Sequence, residues 1–331
     1  MKALVTGGTG FLGRALVERL VARGDFVRVI ARRAPNERLP DGVELHQGDI
    51  STPGAVAALA RGCDVVFHCA ALAGIHGPEE EFRRINVEGT AQVIEACRRH
   101  GVPRLVHTST PSVVFDGRDM EGADESAPIP ARHDASYPAT KAEAERMALA
   151  ANCESLGVVA LRPHLIWGPG DRHLVPRILE RARAGTLALV GDGANRVDHT
   201  YIDNAVDAHL LAEKRVAYGA PCAGKAYFVS NGAPVPLREL LDRILAAAGL
   251  PPVTRTVSPG AARFAGLVLE KAHAWFGRAG EPRMTRWLAR ELSTAHWFDI
   301  GAARRDLGYE PRVGLDEGME RLAKSLREQR L

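Results

Sequence analysis

The stretch TGGTGFLG, residues 6–13, directly follows the apolar run KALVT and directly precedes a helical pattern that starts near Phe11. It satisfies GxGxxG spacing through Gly8, Gly10 and Gly13, and GxxGxxG spacing through Gly7, Gly10 and Gly13. Glycines so spaced allow a tight turn, a close approach of backbone to a pyrophosphate, and close packing of helix on sheet. Glycine spacing alone is weak evidence. A strand before and a helix after, at the start of the chain, make this a dinucleotide-binding loop.

The rest of the first half agrees with that reading. FVRVIA, VELHQ, DVVFHCA, RLVHTS and VVALRP read as strands, and helical patterns fall near 11–23, 53–61, 79–99 and 137–156. Short apolar strands separated by helices imply a parallel sheet covered on both faces, a doubly wound α/β architecture of the Rossmann kind. After about residue 165 Gly and Pro become frequent and the helices scatter. Residues 1–165 are therefore expected to form the dinucleotide-binding domain. Residues 166–331 are expected to form a smaller substrate-binding region, partly interleaved with it.

The second strand bears on the choice of dinucleotide. An NAD site places an acid about 20 residues beyond the loop, on the ribose 2′-hydroxyl. Here the strand ends VRVIARRAP, with Ala31, Arg32 and Arg33 in that place. Two guanidiniums suit a 2′-phosphate, so NADP(H) is expected in preference to NAD(H). The plainer reading is a pair of solvated loop charges. Asp49, in GDI at 48–50, either accepts from the adenine amino group or caps the helix near Pro53.

In SYPATKAEAER, residues 136–146, Tyr137 and Lys141 are four apart, neighbours on one helix face. Most such pairs are ordinary surface pairs. Beside a nicotinamide, however, a lysine cation would stabilise a phenolate and lower its pKa from about 10, tuning a proton donor for a carbonyl oxygen. Thr108, Ser109, Thr110 and Ser112 supply hydroxyls at a neighbouring strand end, where open α/β sheets bind ligands.

Bulk properties exclude several alternatives. A formal charge of +3 over 331 residues does not call for nucleic acid as a partner. The five cysteines form no CxxC and no Cys/His metal pattern, so buried thiols in a reducing cytosol are expected and no metal site. The first apolar run is too short for a signal peptide, and no stretch approaches the ~18 apolar residues of a membrane span. A cytoplasmic location is expected.

Taken together, TGGTGFLG, GDI, FHCAA (67–71), INVEGT (85–90), HTST (107–110), YPATK (137–141) and RPHLIWGPGD (162–171) resemble the extended short-chain dehydrogenase/reductases. The resemblance implies Tyr137 as acid/base, Lys141 as ribose ligand and tuner, and Thr110 as the third catalytic hydroxyl, with Ser109 as backup. Pro111 departs from the family's usual run. Asn86 would position backbone. Cofactor contacts are implied at Gly7, Gly10, Phe11, Leu12, Gly13, Asp49, Ile50, Ala70, Ala71 and Pro163.

RPHLIWGPGDRHLVPRI, DHTYIDNAVDAHLLA (198–212) and LSTAHWFDIGAARRDLGYEP (292–311) resemble the 3β-hydroxysteroid dehydrogenase-like branch. Two groups within it come closest: the 2-alkyl-3-oxoalkanoate reductases of bacterial long-chain olefin biosynthesis and the sterol-4α-carboxylate 3-dehydrogenases. The first is preferred because Arg32 and Arg33 suit NADPH and hence reduction. A nucleotide-sugar epimerase or dehydratase and a non-enzymatic NADP(H) sensor are the remaining readings. Either preferred substrate carries a carboxylate near the reacting carbon, and Arg172 and His173 are the expected contacts. The apolar segment 261–278, with Phe264, Leu267, Val268, Leu269, Trp275 and Phe276, is read as core, as a lipid-entry wall, or as a contact with a membrane surface or partner enzyme. The resemblance also implies a homodimer through the helices within 79–99 and 137–156.

Overall fold

The computed structural model describes residues 1–34, 38–74, 76–276 and 281–328. Its main element is a seven-stranded, wholly parallel sheet: β1 (Lys2–Thr6), β2 (Phe26–Ala31), β3 (Glu44–Gln47), β4 (Val65–His68), β5 (Arg104–Thr108), β6 (Gly157–Pro163) and β7 (Lys225–Val229). The order is β7-β6-β5-β4-β1-β2-β3. The chain therefore starts mid-sheet, runs outward to β3, then crosses back to β4. That reversal leaves a crevice beyond the carboxyl ends of β1 and β4, where this architecture binds ligands. Every residue of β4 and β6 is buried, as strands covered on both faces require.

The helices used below are α1 (Phe11–Ala22), α2 (Gly89–His100), α3 (Ser136–Ala150), α4 (Leu174–Arg183), α5 (Ile202–Arg215), α6 (Leu237–Ala247), α7 (Pro259–Phe276), α8 (Arg286–Glu291) and α9 (Leu315–Glu328). Leu12, Leu16, Val17 and Leu20 form the buried stripe of α1. Arg19 on its outer side pairs with Asp207 of α5 at 2.9 Å.

Several boundaries differ from the sequence reading. The helix expected over 137–156 stops at Ala150, because Cys153 and Leu156 bridge into a tight turn that feeds β6. The stretch 53–61 yields only a short helix at Ala57–Ala60. The span 79–100 is helical but widens to a π-helix at Arg83–Glu88. Three of the five free cysteines are buried, while Cys69 and Cys153 are partly exposed rather than buried as expected.

The parts before and after residue 165 share sheets. β7 comes from the later part and completes the main sheet beside β6. Met120–Ala123 leaves the earlier part to pair with His296–Phe298 in a four-stranded sheet that also contains Arg196–Val197 and Val235–Pro236. No helix among the described residues is long and apolar enough to cross a membrane.

Candidate active site

The crevice is a cleft of about 590 Å³ beyond the sheet's carboxyl edge. The glycine loop forms its floor. Gly7 has φ +70°, and a Cβ there would lie 2.8 Å from the Ala70 backbone. A Cβ on Gly13 would lie 2.2 Å from the Gly7 carbonyl oxygen. The loop must therefore be glycine for α1 to start this close to β1. α1 has no side-chain cap and no acid in its first turn, so its first amides and positive dipole end are open to an anion.

Of the residues implied for the cofactor, Gly7, Gly10, Phe11, Leu12, Gly13, Arg32, Arg33, Asp49, Ile50, Ala70, Ala71, Tyr137, Lys141 and Pro163 all line this cleft, with Ser109 and Thr110. Arg32 and Arg33 are exposed just past β2, and neither guanidinium has a partner among the described residues. Asp49 is committed locally: it accepts from the Ser51 amide and hydroxyl, and from Arg84 at 2.8 Å. Burial opposes its charge, but the Arg84 and Ser51 bonds outweigh it and hold the carboxyl down at about 2. A glycine-lined floor and an uncapped helix N-terminus fit a nicotinamide dinucleotide.

Tyr137 and Lys141 face the same cleft from α3. Lys141 is buried, and its ammonium donates to the Thr108 carbonyl at 2.6 Å. Burial draws its pKa down to about 8, with Glu145, one turn further on, pulling the other way. Thr108 is fixed in turn, its hydroxyl meeting His209 Nε2 at 2.8 Å. Tyr137 corrects one expectation: its pKa is raised, not lowered. Burial is the main cause; the Thr110 hydroxyl opposes it and the Glu291 carboxylate adds to it. A raised phenol stays protonated at neutral pH, the form that can give a proton away.

Thr110 accepts from the Ser112 amide at 3.3 Å and caps the short helix Pro111–Val114. Pro111 thus stands at a first helical position, where its fixed φ is favourable, and the departure from the family run has a local cause. Ser109 Oγ is buried without a partner, beside the cleft. Asn86, in the π-turn, accepts from the Leu72 amide at 2.7 Å, and its amide group donates to the Leu72 carbonyl and to Thr140. It clamps the loop after β4 against α3.

The substrate contacts expected at Arg172 and His173 are not brought together. Arg172 lies outside the cleft, in a groove with Arg14 and Glu18, and His173 lines the cofactor cleft. Asp171 accounts for this: its carboxylate accepts from the amides of His173, Leu174 and Val175 and turns the loop into α4. The sequence reading also missed Leu165, a cleft residue at φ +42°, a strained backbone of the kind that collects at functional sites.

Tyr137 borders a second cavity as well, of about 460 Å³. Phe82, Leu267 and Trp287 give it an apolar lining, and Asp134, Glu270, Lys271, Arg286 and His76 are among its polar groups. α7 is its wall, so the segment 261–278 contributes to this cavity through Leu267. The same helix exposes Phe264, Val268 and Trp275. The Phe276 side chain and residues 277 and 278 lie outside the described residues.

A sequence model of the 3-beta hydroxysteroid dehydrogenase/isomerase family matches residues 4–259. The chain is 51% identical over 328 residues to a 2-alkyl-3-oxoalkanoate reductase of Stenotrophomonas maltophilia, covering 98% of this chain and 99% of that one. It is 38% identical over 341 residues to isoform 1 of a 3beta-hydroxysteroid-dehydrogenase/decarboxylase of Arabidopsis thaliana, covering 96% and 78%. Among solved structures, MoeE5 in complex with UDP-glucose and NAD superposes with a TM-score of 0.76 at 29% identity, over the full length of both chains.

Proposed function

The chain belongs to the 3-beta hydroxysteroid dehydrogenase/isomerase family, and on that premise we propose that it is an NADPH-dependent reductase of long-chain 2-alkyl-3-oxoalkanoic acids. That it is an oxidoreductase working between an alcohol and a ketone with a nicotinamide dinucleotide follows from the family and its relatives. The finer reading is ours. One observation carries it: Tyr137, held protonated, stands between a dinucleotide cleft and a separate cavity with apolar walls and cationic groups.

The dinucleotide would be held by the glycine loop and the start of α1, by Lys141 at the nicotinamide ribose, and by Arg32 and Arg33 at a 2′-phosphate. When bound it supplies the hydride. Tyr137 gives its proton to the ketone oxygen as that oxygen gains charge. Thr110, beside Tyr137, orients the oxygen; Ser109, whose hydroxyl is otherwise unpaired, is the second candidate. The Lys141 cation stabilises the phenolate left behind, in the manner of a tuned general acid. Phe82, Leu267 and Trp287 receive the alkyl chains.

The test runs the reaction backwards, since 3-hydroxy acids are stable while 3-keto acids lose CO2. Initial rates of NADP+ and NAD+ reduction are measured with a long-chain 2-alkyl-3-hydroxyalkanoic acid and with a 4α-carboxy-3β-hydroxysterol. Turnover of the acyclic acid with NADP+ preferred is the expected result. Turnover of the sterol alone, or with NAD+ alone, would move the protein to sterol dehydrogenation. Tightly retained nucleotide with no net turnover would point to an epimerase or dehydratase.

A further inference from the structure

A 2-alkyl-3-oxo acid carries its carboxylate on the carbon next to the ketone. Tyr137 borders both cavities; with the dinucleotide in the cleft, the second cavity is the space left beside Tyr137 for the carboxylate. An anion brought into a partly apolar cavity needs a counter-charge, or its desolvation works against binding. The charges that line this cavity can be sorted by what already holds them.

Arg286 is neutralised: its backbone amide and Nε both donate to the Glu270 carboxylate, each at 2.7 Å. The Asp134 carboxylate, which also lines the cavity, is paired with Arg290 of the same short helix. His76 packs edge-on against His273, ring centres 5.9 Å apart. Lys271 is different. It lines the cavity and is exposed at its mouth, and its ammonium has no hydrogen bond or ion pair with any described residue. Its neighbour Glu270 is turned to Arg286. Leu267, one turn before Lys271 on α7, belongs to the apolar wall, so one helix carries both the greasy surface and the cation.

We propose that Lys271 is the counter-ion for the substrate carboxylate and so determines the enzyme's preference for an acid. This assignment rests on the reading of the substrate given above. The flexible four-carbon stem lets the ammonium follow acids whose alkyl branches differ in length.

The experiment compares wild type, Lys271→Met and Lys271→Arg in NADP+ reduction by a 2-alkyl-3-hydroxyalkanoic acid and by its methyl ester. The ester keeps the alkyl chains and the alcohol but lacks the charge. Lys271→Met should raise KM for the acid about tenfold, the size of one charge-assisted contact at a wet cavity mouth. It should leave kcat within twofold and the ester's KM unchanged, and Lys271→Arg should recover most of the acid's KM. An unchanged acid KM in active Lys271→Met would overturn the assignment. Equal loss on acid and ester would overturn it too, because that marks packing rather than charge. Wild-type enzyme inactive on both compounds would sink the substrate reading itself, and this assignment with it.

Discussion

Glu145 ties the stability of the fold to the chemistry of the site, and replacing it should disturb both in separable ways. It lies one turn past Lys141 on α3 and grips Arg162 of β6 with two bonds, 2.9 Å to Nε and 2.6 Å to Nη2. The two side chains are 1% and 5% exposed. The guanidinium also lies over the Phe228 ring at 5.2 Å, and its Nη1 has no partner. Glu145→Gln would leave that cation buried and uncompensated, at a cost of about 3–5 kcal/mol. Glu145→Leu with Arg162→Met removes both charges and should regain most of the loss, because the desolvation penalty disappears with them. Glu145 is also the main influence holding up the Lys141 pKa against burial. Both variants should therefore shift the alkaline limb of kcat/KM from about pH 8 to lower pH, while only the single variant loses stability. Urea midpoints and pH–rate profiles for the three proteins decide the matter. A single variant that loses less than about 1 kcal/mol would refute the energetic argument. An alkaline limb that stays in place would refute the coupling to Lys141.

Three further outcomes are expected. Tyr137→Phe should lower kcat by about 10²–10⁴, the range for a lost general acid, while NADPH binding followed by fluorescence is unchanged; retention of a tenth of the rate would remove Tyr137 from its role. Arg32→Ala with Arg33→Ala should raise KM for NADPH by about tenfold or more and leave that for NADH alone, since the lost contacts are charge-assisted and exposed; equal effects on both cofactors would make them plain loop charges. Asp198 is fully buried, and burial lifts its carboxyl to about 6 despite bonds from the Phe298 amide and Ser230. A raised carboxyl contributes its full stability below the unfolded value near 4 and loses it as pH climbs through about 6. Asp198→Asn should thus gain on wild type by up to about 3 kcal/mol between pH 4 and pH 8, and a stability difference that does not change with pH would contradict this.

Much of the cofactor half was legible in the chain because its signals are local. The glycine loop depends on contacts made within it and on one neighbouring turn: Gly13 meets Gly7, and Gly7 meets Ala70. β1, β2 and β5 end where their apolar runs end, and the Tyr137–Lys141 spacing carries its own geometry once a helix forms. What failed was what depends on distant partners. Nothing in KAYFV says that it will lie beside β6 and complete the sheet. Arg172 was expected at the substrate carboxylate, but Asp171 turns the loop and Arg172 lies in a groove outside the cleft. Lys141 was expected to lower the Tyr137 pKa by proximity, yet its ammonium is directed to the Thr108 carbonyl and burial by the rest of the fold raises the phenol. The sequence by itself determined the parallel sheet, the dinucleotide loop and the Tyr/Lys pair, since short-range sterics and periodicity suffice for them. Only the tertiary structure decided the second cavity, which α3, α7, α8 and the turn around Gly77 build from residues more than two hundred positions apart. Which cation there is already paired among the described residues depends on the partners folding brings within reach, and no spacing along the chain encodes that.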